Sequence, residues 1–219
     1  MFTGIIQSVG EIRRVEPRGG DVRLTIGTGK LPMARAALGD SIAVNGVCLT
    51  AVALAADAFT ADLSRETLLH TTLGDLTVGS PVNLEQALTL STPLGGHLVS
   101  GHVDGVGQVL DRQEDARSWR LSIAAPPELA RYIAQKGSIC VDGVSLTVNA
   151  VDGACFDLNI VPHTLEQTII ARYAGGTRVN LEVDLIARYL ERLLLGEKAA
   201  TPSARGITRD FLAEHGFAR

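Results

Sequence analysis

The stretch GDSIAVNGVCLT, residues 39–50, returns later in the chain as KGSICVDGVSLT, residues 136–147, at an offset of 97 between Ser41 and Ser138. The same offset relates VNLE at 82–85 to VNLE at 179–182, and Gly4 to Gly101. A constant offset without net insertion indicates two copies of one unit. Solenoid repeats are about 20–50 residues long and need three or more copies, so this pattern predicts a duplicated small domain.

Short Val, Ile, Leu and Thr segments broken by many of the 23 glycines are typical of tightly turned strands. Asn-Gly at 45–46 and Asp-Gly at 142–143 occur at equivalent places in the two copies. Both central residues of a tight hairpin turn need positive φ, which these dipeptides favour, so they predict two hairpin turns. Each copy is therefore expected to be mainly β and to close, or nearly close, into a small barrel. In the first copy the expected strands are 5–15, 22–28, 41–45, 47–52, 58–63 and 82–87, with a short helix at 32–37. In the second copy the corresponding early elements are strands at 103–110 and 119–124 and a helix at 127–134.

The segment Asp184–Leu195 has apolar residues at helical spacing and no counterpart after the first copy. It predicts an amphipathic helix, which either forms an oligomer contact or packs on its own barrel. The pattern beyond it predicts a linker at 196–205 and a short helix at 207–217. The predicted domains are thus an N-terminal barrel at 1–96, a C-terminal barrel at 97–183, an oligomerisation helix at 184–195 and a tail at 196–219.

Composition argues against several classes of protein. The chain has 20 Lys+Arg against 24 Asp+Glu and 4% aromatic residues, which disfavours a basic, stacking groove for nucleic acid. No apolar run approaches the roughly 18 residues of a membrane span. Three cysteines without C-x-x-C spacing disfavour a disulfide framework and a zinc site. No dinucleotide-binding or P-loop motif indicates a cofactor, and the first residues lack a basic signal-peptide region, so a cytoplasmic location is expected.

Several motifs resemble the alpha-chain riboflavin synthase family: MFTGI at 1–5, GVCLT at 46–50, GGHLVSGHVDG at 95–105 and KGSICVDGVSLTV at 136–148. The segment VPHTLE at 161–166 is similar to the family's usual Ile-Pro-His-Thr-Leu-Glu. The resemblance extends from residue 1 to about residue 195 with the family's spacing.

The resemblance implies two tandem, similar six-stranded Greek-key barrels, a C-terminal helix that holds a homotrimer, and no cofactor. The implied reaction is a dismutation in which two molecules of 6,7-dimethyl-8-ribityllumazine bind at one active site and exchange a four-carbon unit. One becomes riboflavin and the other 5-amino-6-ribitylaminouracil. Lumazine synthase is a further candidate partner, whereas nucleic acid and membrane are not expected.

Side chains that position groups and relay protons suit this chemistry. Phe2 is expected to cover a ligand rather than to fill the core. Cys48 and Ser145 occupy equivalent positions, and this difference between the copies could give donor and acceptor sites. His102 is the favoured proton carrier and His97 is supporting; their spacing of five does not place both on one face of a strand, which disfavours a metal pair. The candidate catalytic residues are Phe2, Ser41, Cys48, Thr50, His102 and Ser145.

The resemblance also implies that the segments 62–67 and 159–164 hold the pteridine edge and the ribityl chain. Each of these residue types also has an ordinary structural explanation, such as a buried strand cysteine or a solvated surface charge. No metal ligand is predicted. The candidate substrate-binding residues are Thr3, Gly4, Ile5, Ile6, Cys48, Leu49, Thr50, Asp62, Leu63, Ser64, Arg65, Glu66, Thr67, His97, Gly101, His102, Val103, Lys136, Ser145, Leu146, Thr147, Ile160, Val161, Pro162, His163, Thr164, Leu165 and Asp184.

Two other functions fit a duplicated barrel. One is a lumazine- or flavin-binding relative of the antenna-protein type, which holds a chromophore without turnover. The presence of Phe2, Cys48, His102 and Ser145 favours the enzyme over this alternative. The other is a barrel that binds oligonucleotide or peptide, which the charge and the scarcity of aromatic residues disfavour.

Overall fold

The structure is a computed structural model that describes residues 1–200, and it contains two closed antiparallel barrels of six strands each. Both barrels have the strand order first, second, fifth, fourth, third, sixth, so the mainly β, duplicated fold is confirmed. Barrel 1 consists of β1 (Ser8–Arg18), β2 (Asp21–Gly27), β3 (Ser41–Val44), β4 (Val47–Leu54), β5 (Ala58–Leu63) and β6 (Pro81–Gln86). Barrel 2 consists of β7 (Gly105–Asp115), β8 (Ser118–Ala124), β9 (Ser138–Val141), β10 (Val144–Asp152), β11 (Cys155–Ile160) and β12 (Arg178–Val183).

The inside of each barrel is filled by apolar side chains that alternate along the strands. On β4, Val47, Leu49 and Ala51 point inward, and each barrel has its own buried cluster around a phenylalanine, Phe59 or Phe156. A small barrel with a packed interior leaves no room for a ligand in its lumen. The polar residues of the strands therefore lie on the outer faces.

The turns agree with the sequence pattern, but the short helices do not. Asn45 and Asp142 have φ of 47° and 44°, and the glycine after each is also positive, as the predicted hairpin turns require. Where helices were expected at 32–37 and 127–134, the chain forms 3-10 turns at Met33–Arg35 and Pro127–Tyr132, since one turn of α-helix and one of 3-10 helix have nearly the same local sequence pattern. Two short helices were not predicted: α1 (Arg65–His70) and α2 (Pro162–Gln167).

A local twofold axis relates the two barrels, since residues 97 apart meet each other along it. The backbones of Phe2 and Val99 exchange two hydrogen bonds, of 2.7 and 3.1 Å. The two hairpin turns also meet, because a Cβ atom on Gly46 would lie 2.7 Å from the nitrogen of Gly143. Glycine is required at this close approach of two backbones.

Two asparagines lock the barrels together across the axis. Asn83 of β6 donates to the carbonyl of Asp142 (2.9 Å), and Asn180 of β12 donates to the carbonyl of Asn45 (2.8 Å). Each amide oxygen also accepts a backbone N–H of the opposite copy, from Ile169 and Thr72 respectively. All these groups are buried and satisfied, so the pairing of the barrels is specific.

The opening segment of each copy lies on the barrel of the other copy. The carbonyl of Gly4 accepts from the N–H of Ser145 in barrel 2 (2.8 Å), and the carbonyl of Gly101 accepts from the N–H of Cys48 in barrel 1 (2.9 Å). Ile6 packs against the core of barrel 2 and Val103 against that of barrel 1. This crossing explains why the first strand begins at Ser8 and not at residue 5 as predicted; the domain boundaries remain a prediction.

The chain after barrel 2 forms α3 (Leu185–Leu194), inside the range predicted for the amphipathic helix. Its side chains Ile186, Tyr189, Leu193 and Leu194 are exposed. Residues Gly196–Ala200 form a 3-10 turn at the start of the predicted linker. The helix predicted at 207–217 lies outside the described residues. Within residues 1–200, no helix has the length and apolar character needed to cross a membrane.

Candidate functional site

A row of polar side chains crosses the outer face of barrel 1. Strand alternation turns Cys48 and Thr50 outward from β4, and Thr50 pairs with Ser41 on β3. On the other side, Asp62 of β5 pairs with Arg23 of β2. Arg23 donates two hydrogen bonds of 2.6 Å to the carboxylate of Asp62, and these bonds and its charge hold the pKa of Asp62 below its usual range. The barrel thus presents hydroxyl, thiol and charged groups on one surface.

Barrel 2 has the same row with different chemistry. Thr147 pairs with Ser138 and Ser145 with Cys140, while Asn159 of β11 pairs with Arg120 of β8. Asn159 replaces the carboxylate of Asp62, and Arg120 instead forms an ion pair with Asp115 (3.1 Å). Ser138 was not predicted as a site residue, although its equivalence to Ser41 could have identified it.

Ser145 has a histidine partner. Nδ1 of His97 lies 2.7 Å from Oγ of Ser145, and the His97 ring is mostly buried. Burial lowers the pKa of His97, against an opposing effect of the negative charge of Asp184, so the imidazole is neutral at pH 7. A neutral Nδ1 can accept the hydroxyl proton of Ser145. Nε2 of His97 is buried and has no hydrogen-bond partner among residues 1–200.

Cys48 faces Gly101 as Ser145 faces Gly4, but the ring close to Cys48 is Phe2, whereas the ring hydrogen-bonded to Ser145 is His97. The closest neighbours include Gly101, where an added Cβ would lie 2.6 Å from Cβ of Cys48 and 2.8 Å from the Phe2 ring. The Phe2 side chain is 0% exposed and forms a small cluster on the axis with Val99, Ala43 and Cys140. The expectation that Phe2 covers a ligand without filling the core is therefore wrong in its second part, because the axis between the barrels creates a core of its own.

The segments after β5 and β11 border these rows. Ser64 caps α1 by accepting from the N–H of Thr67 (3.2 Å), while Val161 has no side-chain cap and is followed by Pro162. Within the segments, Leu63 and Ile160 point into the barrel cores, as Leu49 does, so these three can offer a ligand only backbone atoms.

The predicted residues separate into two groups, which we call half-site 1 and half-site 2. His102 follows Gly101, whose carbonyl is bonded to Cys48, so it belongs with barrel 1 although the repeat assigns it to the second copy. Half-site 1 comprises Ser41, Cys48, Leu49, Thr50, Asp62, Leu63, Ser64, Arg65, Glu66, Thr67, Gly101, His102 and Val103. Half-site 2 comprises Gly4, Ile5, Ile6, His97, Lys136, Ser145, Leu146, Thr147, Ile160, Val161, Pro162, His163, Thr164, Leu165 and Asp184.

Two buried carboxylates beside the half-sites were not predicted. Glu85 accepts from the N–H of Thr3, its hydroxyl and the N–H of Gly4, so Thr3 lies on the barrel-1 side of the axis. Glu182 accepts the equivalent three hydrogen bonds from Ser100 and Gly101. Both belong to the repeated VNLE motif, which was the available signal.

Two further features bear on binding. A cavity of about 600 Å³ lies beside β3 and the chain at 86–92, and among the predicted site residues it contacts Ser41. Within the part of the chain that the structure describes, no three His, Cys, Asp or Glu side chains are grouped as a metal site.

Two tandem barrels with matched polar rows define a duplicated ligand-binding protein, and the family comparison agrees. The lumazine binding domain family matches residues 3–87 and 100–184. The chain is also similar to solved structures of LumP: TM-score 0.78 and 27% identity for LumP complexed with riboflavin, and TM-score 0.75 and 26% identity for LumP complexed with 6,7-dimethyl-8-(1'-D-ribityl) lumazine. Each comparison covers 84% of this chain and 99% of the other.

Curated relatives specify the family further. The chain is 47% identical to riboflavin synthase of Photobacterium phosphoreum over 99% of both chains. It is 41% identical to the Bacillus subtilis (strain 168) enzyme, over 99% of this chain and 100% of the relative. It is 48% identical to that of Mycobacterium tuberculosis (strain ATCC 25618 / H37Rv), over 89% of this chain and 98% of the relative. The chain belongs to the riboflavin synthase family.

Proposed function

We propose that this chain is a riboflavin synthase, a transferase that dismutates two molecules of 6,7-dimethyl-8-ribityllumazine into riboflavin and 5-amino-6-ribitylaminouracil. The observation that carries the proposal is the pair of half-sites, alike in fold but with Cys48 in one and Ser145 in the other. A reaction between two identical molecules in unlike roles needs two similar cradles with different reactive groups. The family membership and the ligands of the LumP structures support lumazine as the substrate class.

In half-site 2, neutral His97 takes the hydroxyl proton of Ser145, which prepares the hydroxyl to attack or to relay a proton at the bound lumazine. In half-site 1, the thiol of Cys48, the hydroxyls of Ser41 and Thr50 and the imidazole of His102 act on the second molecule. Holding the two rings face to face supplies much of the rate, since orientation is worth about 7–11 kcal/mol.

The remaining candidates hold the substrate. Asp62, fixed by Arg23, and Ser64 accept or donate to ribityl hydroxyls in half-site 1. Half-site 2 offers Asn159 and the backbone around Val161 instead, so the two cradles differ in charge. This difference assigns the two molecules to unlike environments.

We further propose a cytoplasmic homotrimer in which half-site 1 of one subunit faces half-site 2 of its neighbour. The exposed apolar side chains of α3 support this arrangement, because an apolar helix face of this kind is commonly covered by a partner. A three-subunit ring with head-to-tail contacts brings the halves together without requiring the two half-sites of one chain to face each other.

A second candidate is a chromophore carrier that binds lumazine or riboflavin without turnover. The similarity to LumP complexed with riboflavin supports this second candidate. The two candidates differ in one respect: the carrier needs a binding surface, whereas the enzyme also needs the Ser145–His97 contact and Cys48.

The test is to incubate chelator-treated, dialysed protein with 6,7-dimethyl-8-ribityllumazine alone and to follow riboflavin by absorbance and chromatography. The enzyme forms one riboflavin for every two lumazines consumed. A carrier changes the fluorescence of the lumazine but forms no riboflavin, and that result, or a requirement for a metal or nicotinamide, would refute the proposal.

A further inference from the structure

Both carboxylate oxygens of Glu85 on β6 accept hydrogen bonds from the opening segment of the chain. Oε1 accepts from the N–H and the hydroxyl of Thr3, both at 2.7 Å, and Oε2 accepts from the N–H of Gly4 at 3.0 Å. The residue is 3% exposed, and the net effect is a raised pKa, because burial outweighs the lowering effect of the hydrogen bonds from Thr3 and Gly4. Three donors from two consecutive residues converge on this group, and carboxylate oxygens accept such hydrogen bonds strongly.

Glu182 on β12 repeats the arrangement in the second copy. Oε1 accepts from the N–H and the hydroxyl of Ser100, at 2.6 and 2.8 Å, and Oε2 accepts from the N–H of Gly101 at 2.9 Å. The side chain is 4% exposed. A buried carboxylate with three hydrogen bonds, preserved in both copies, fixes one short backbone segment in each.

These segments connect each carboxylate to the reactive group of the opposite barrel. Gly4, held by Glu85 of barrel 1, accepts from the N–H of Ser145 in barrel 2. Gly101, held by Glu182 of barrel 2, accepts from the N–H of Cys48 in barrel 1.

The approach of these backbones is close. A Cβ on Gly4 would lie 2.6 Å from Cβ of Ser145, as one on Gly101 would from Cβ of Cys48. A small displacement of either glycine therefore shifts the residue that faces it.

We propose that Glu85 and Glu182 are crossed positioning residues: Glu85 fixes Ser145 of barrel 2 through Gly4, and Glu182 fixes Cys48 of barrel 1 through Gly101. The catalytic part of this inference rests on the proposed function, because it takes Ser145 and Cys48 as the reactive groups. The positional part does not depend on turnover.

The test uses Glu85→Gln and Glu182→Gln in the full-length chain, with Glu114→Gln, an exposed carboxylate on β7, as the matched control. A glutamine at either buried position offers one acceptor oxygen and turns an amide N–H₂ toward a backbone donor. The readout is the hydrogen-exchange rate of the Ser145 and Cys48 amides, measured by NMR without substrate. A buried hydrogen bond lost in this way raises exchange about tenfold or more.

The expected pattern is crossed. Glu85→Gln accelerates the Ser145 amide and leaves the Cys48 amide within about twofold of wild type, Glu182→Gln does the reverse, and Glu114→Gln changes neither. Both buried variants lower kcat by about tenfold or more, whereas the control does not. If a glutamine variant does not fold, Thr3→Val and Ser100→Ala remove one donor at each carboxylate and produce the same crossed pattern with smaller changes.

The inference is overturned if both amides exchange equally faster in each variant, if only the amide on the substituted glutamate's own barrel exchanges faster, or if neither exchange rate changes. These results are separate from a failure of the proposed function. If wild-type protein makes no riboflavin, the function is refuted whatever the exchange pattern; if it makes riboflavin and the crossed pattern is missing, only the inference is refuted.

Discussion

Barrel 1 and barrel 2 share one scaffold, and they differ in the chemistry of their outer polar rows and their axial turns. The strand order, hairpin turns, asparagine locks and buried glutamates are repeated. Cys48 is replaced by Ser145 with its His97 partner, Asp62 by Asn159, and Asn45 by Asp142. The duplication supplied the geometry twice, and these three differences lie in the outer polar rows and at the axial turns. That pattern is what a dismutation requires, because identical substrates must be treated differently.

Phe2→Ala has the largest expected effect on stability, because it removes the one large aromatic side chain of the axial cluster. Phe2 and Val99 are equivalent residues that meet on the axis, and only the first is aromatic. Removing a fully buried Phe costs about 3–5 kcal/mol because it leaves a cavity. Urea unfolding is expected to show this loss, with Val99→Ala as the smaller matched change. An unchanged midpoint for Phe2→Ala would show that the axial cluster is not a core.

His97→Gln removes the feature that distinguishes half-site 2. Loss of a general base lowers kcat by about 10²–10⁴, while the alkylation rate of Cys48 in half-site 1 stays at the wild-type value. Because burial lowers the pKa of His97, the acid limb of kcat/KM in the wild type lies below pH 6.5, the usual value for histidine. Normal turnover of the variant, or an acid limb above that pH, would contradict the assignment.

Asp142→Asn makes the barrel-2 turn like that of barrel 1. Asp142 is buried, accepts from the hydroxyl of Tyr173 (2.5 Å), and burial raises its pKa to about 7 from an ordinary 3.8. Between these pH values the folded state keeps a proton that the unfolded state has lost, so wild-type stability falls as pH rises from about 4 to about 7.

The Asp142→Asn variant has no titrating carboxyl group at this position, so it does not lose stability in this way as pH rises. The Tm of the variant minus the Tm of wild type is expected to increase by several degrees across the same pH window. One pKa unit corresponds to about 1.4 kcal/mol, and 1 kcal/mol shifts Tm by about 2–4 °C for a protein of this size. Differential scanning calorimetry at pH 5 and pH 8 measures it. A Tm difference that is constant with pH would show that Asp142 does not titrate in this range.

Asp62→Asn makes half-site 1 like half-site 2 and has the smallest expected effect on stability. The Arg23–Asp62 pair is exposed, and solvent screening leaves such a pair with little effect on stability. Unfolding should therefore change little, while lumazine binding, measured by fluorescence titration, weakens. An Arg23→Lys variant, which keeps the charge but not the two parallel bonds, is the control. Unchanged binding in Asp62→Asn would remove this residue from the substrate-binding surface.

The repeat and the turns were sufficient to predict the barrels. The offset fixed two copies, and Asn45-Gly46 with Asp142-Gly143 fixed the hairpin, because positive φ at consecutive residues is a strong local constraint. The short connections were not predictable in the same way, since one turn of α-helix and one of 3-10 helix have nearly the same local pattern.

The crossing of the opening segments could not be derived from the repeat. A constant offset places 97–103 in the second copy, and nothing local shows that it packs on the first barrel. Glu85 and Glu182 were missed for a related reason: glutamate is rarely buried, so a repeated glutamate suggests a surface residue until its donors are seen. Phe2 was expected to cover a ligand and not to fill the core because the resemblance places it in the active site, and the sequence alone does not show that Val99 of the other copy covers it.

On the proposed function, unlike half-sites on the two barrels, in different subunits, form one active site. The direct test mixes a Cys48→Ala,Thr50→Ala protein with a Ser145→Ala,Thr147→Ala protein; His102 is left intact because it lies with barrel 1. Each parent is expected to be inactive with the lumazine, and the mixture to recover riboflavin formation as mixed oligomers form, since some sites then combine two intact halves. If mass spectrometry confirms subunit exchange and the mixture remains as inactive as its parents, the claim is contradicted.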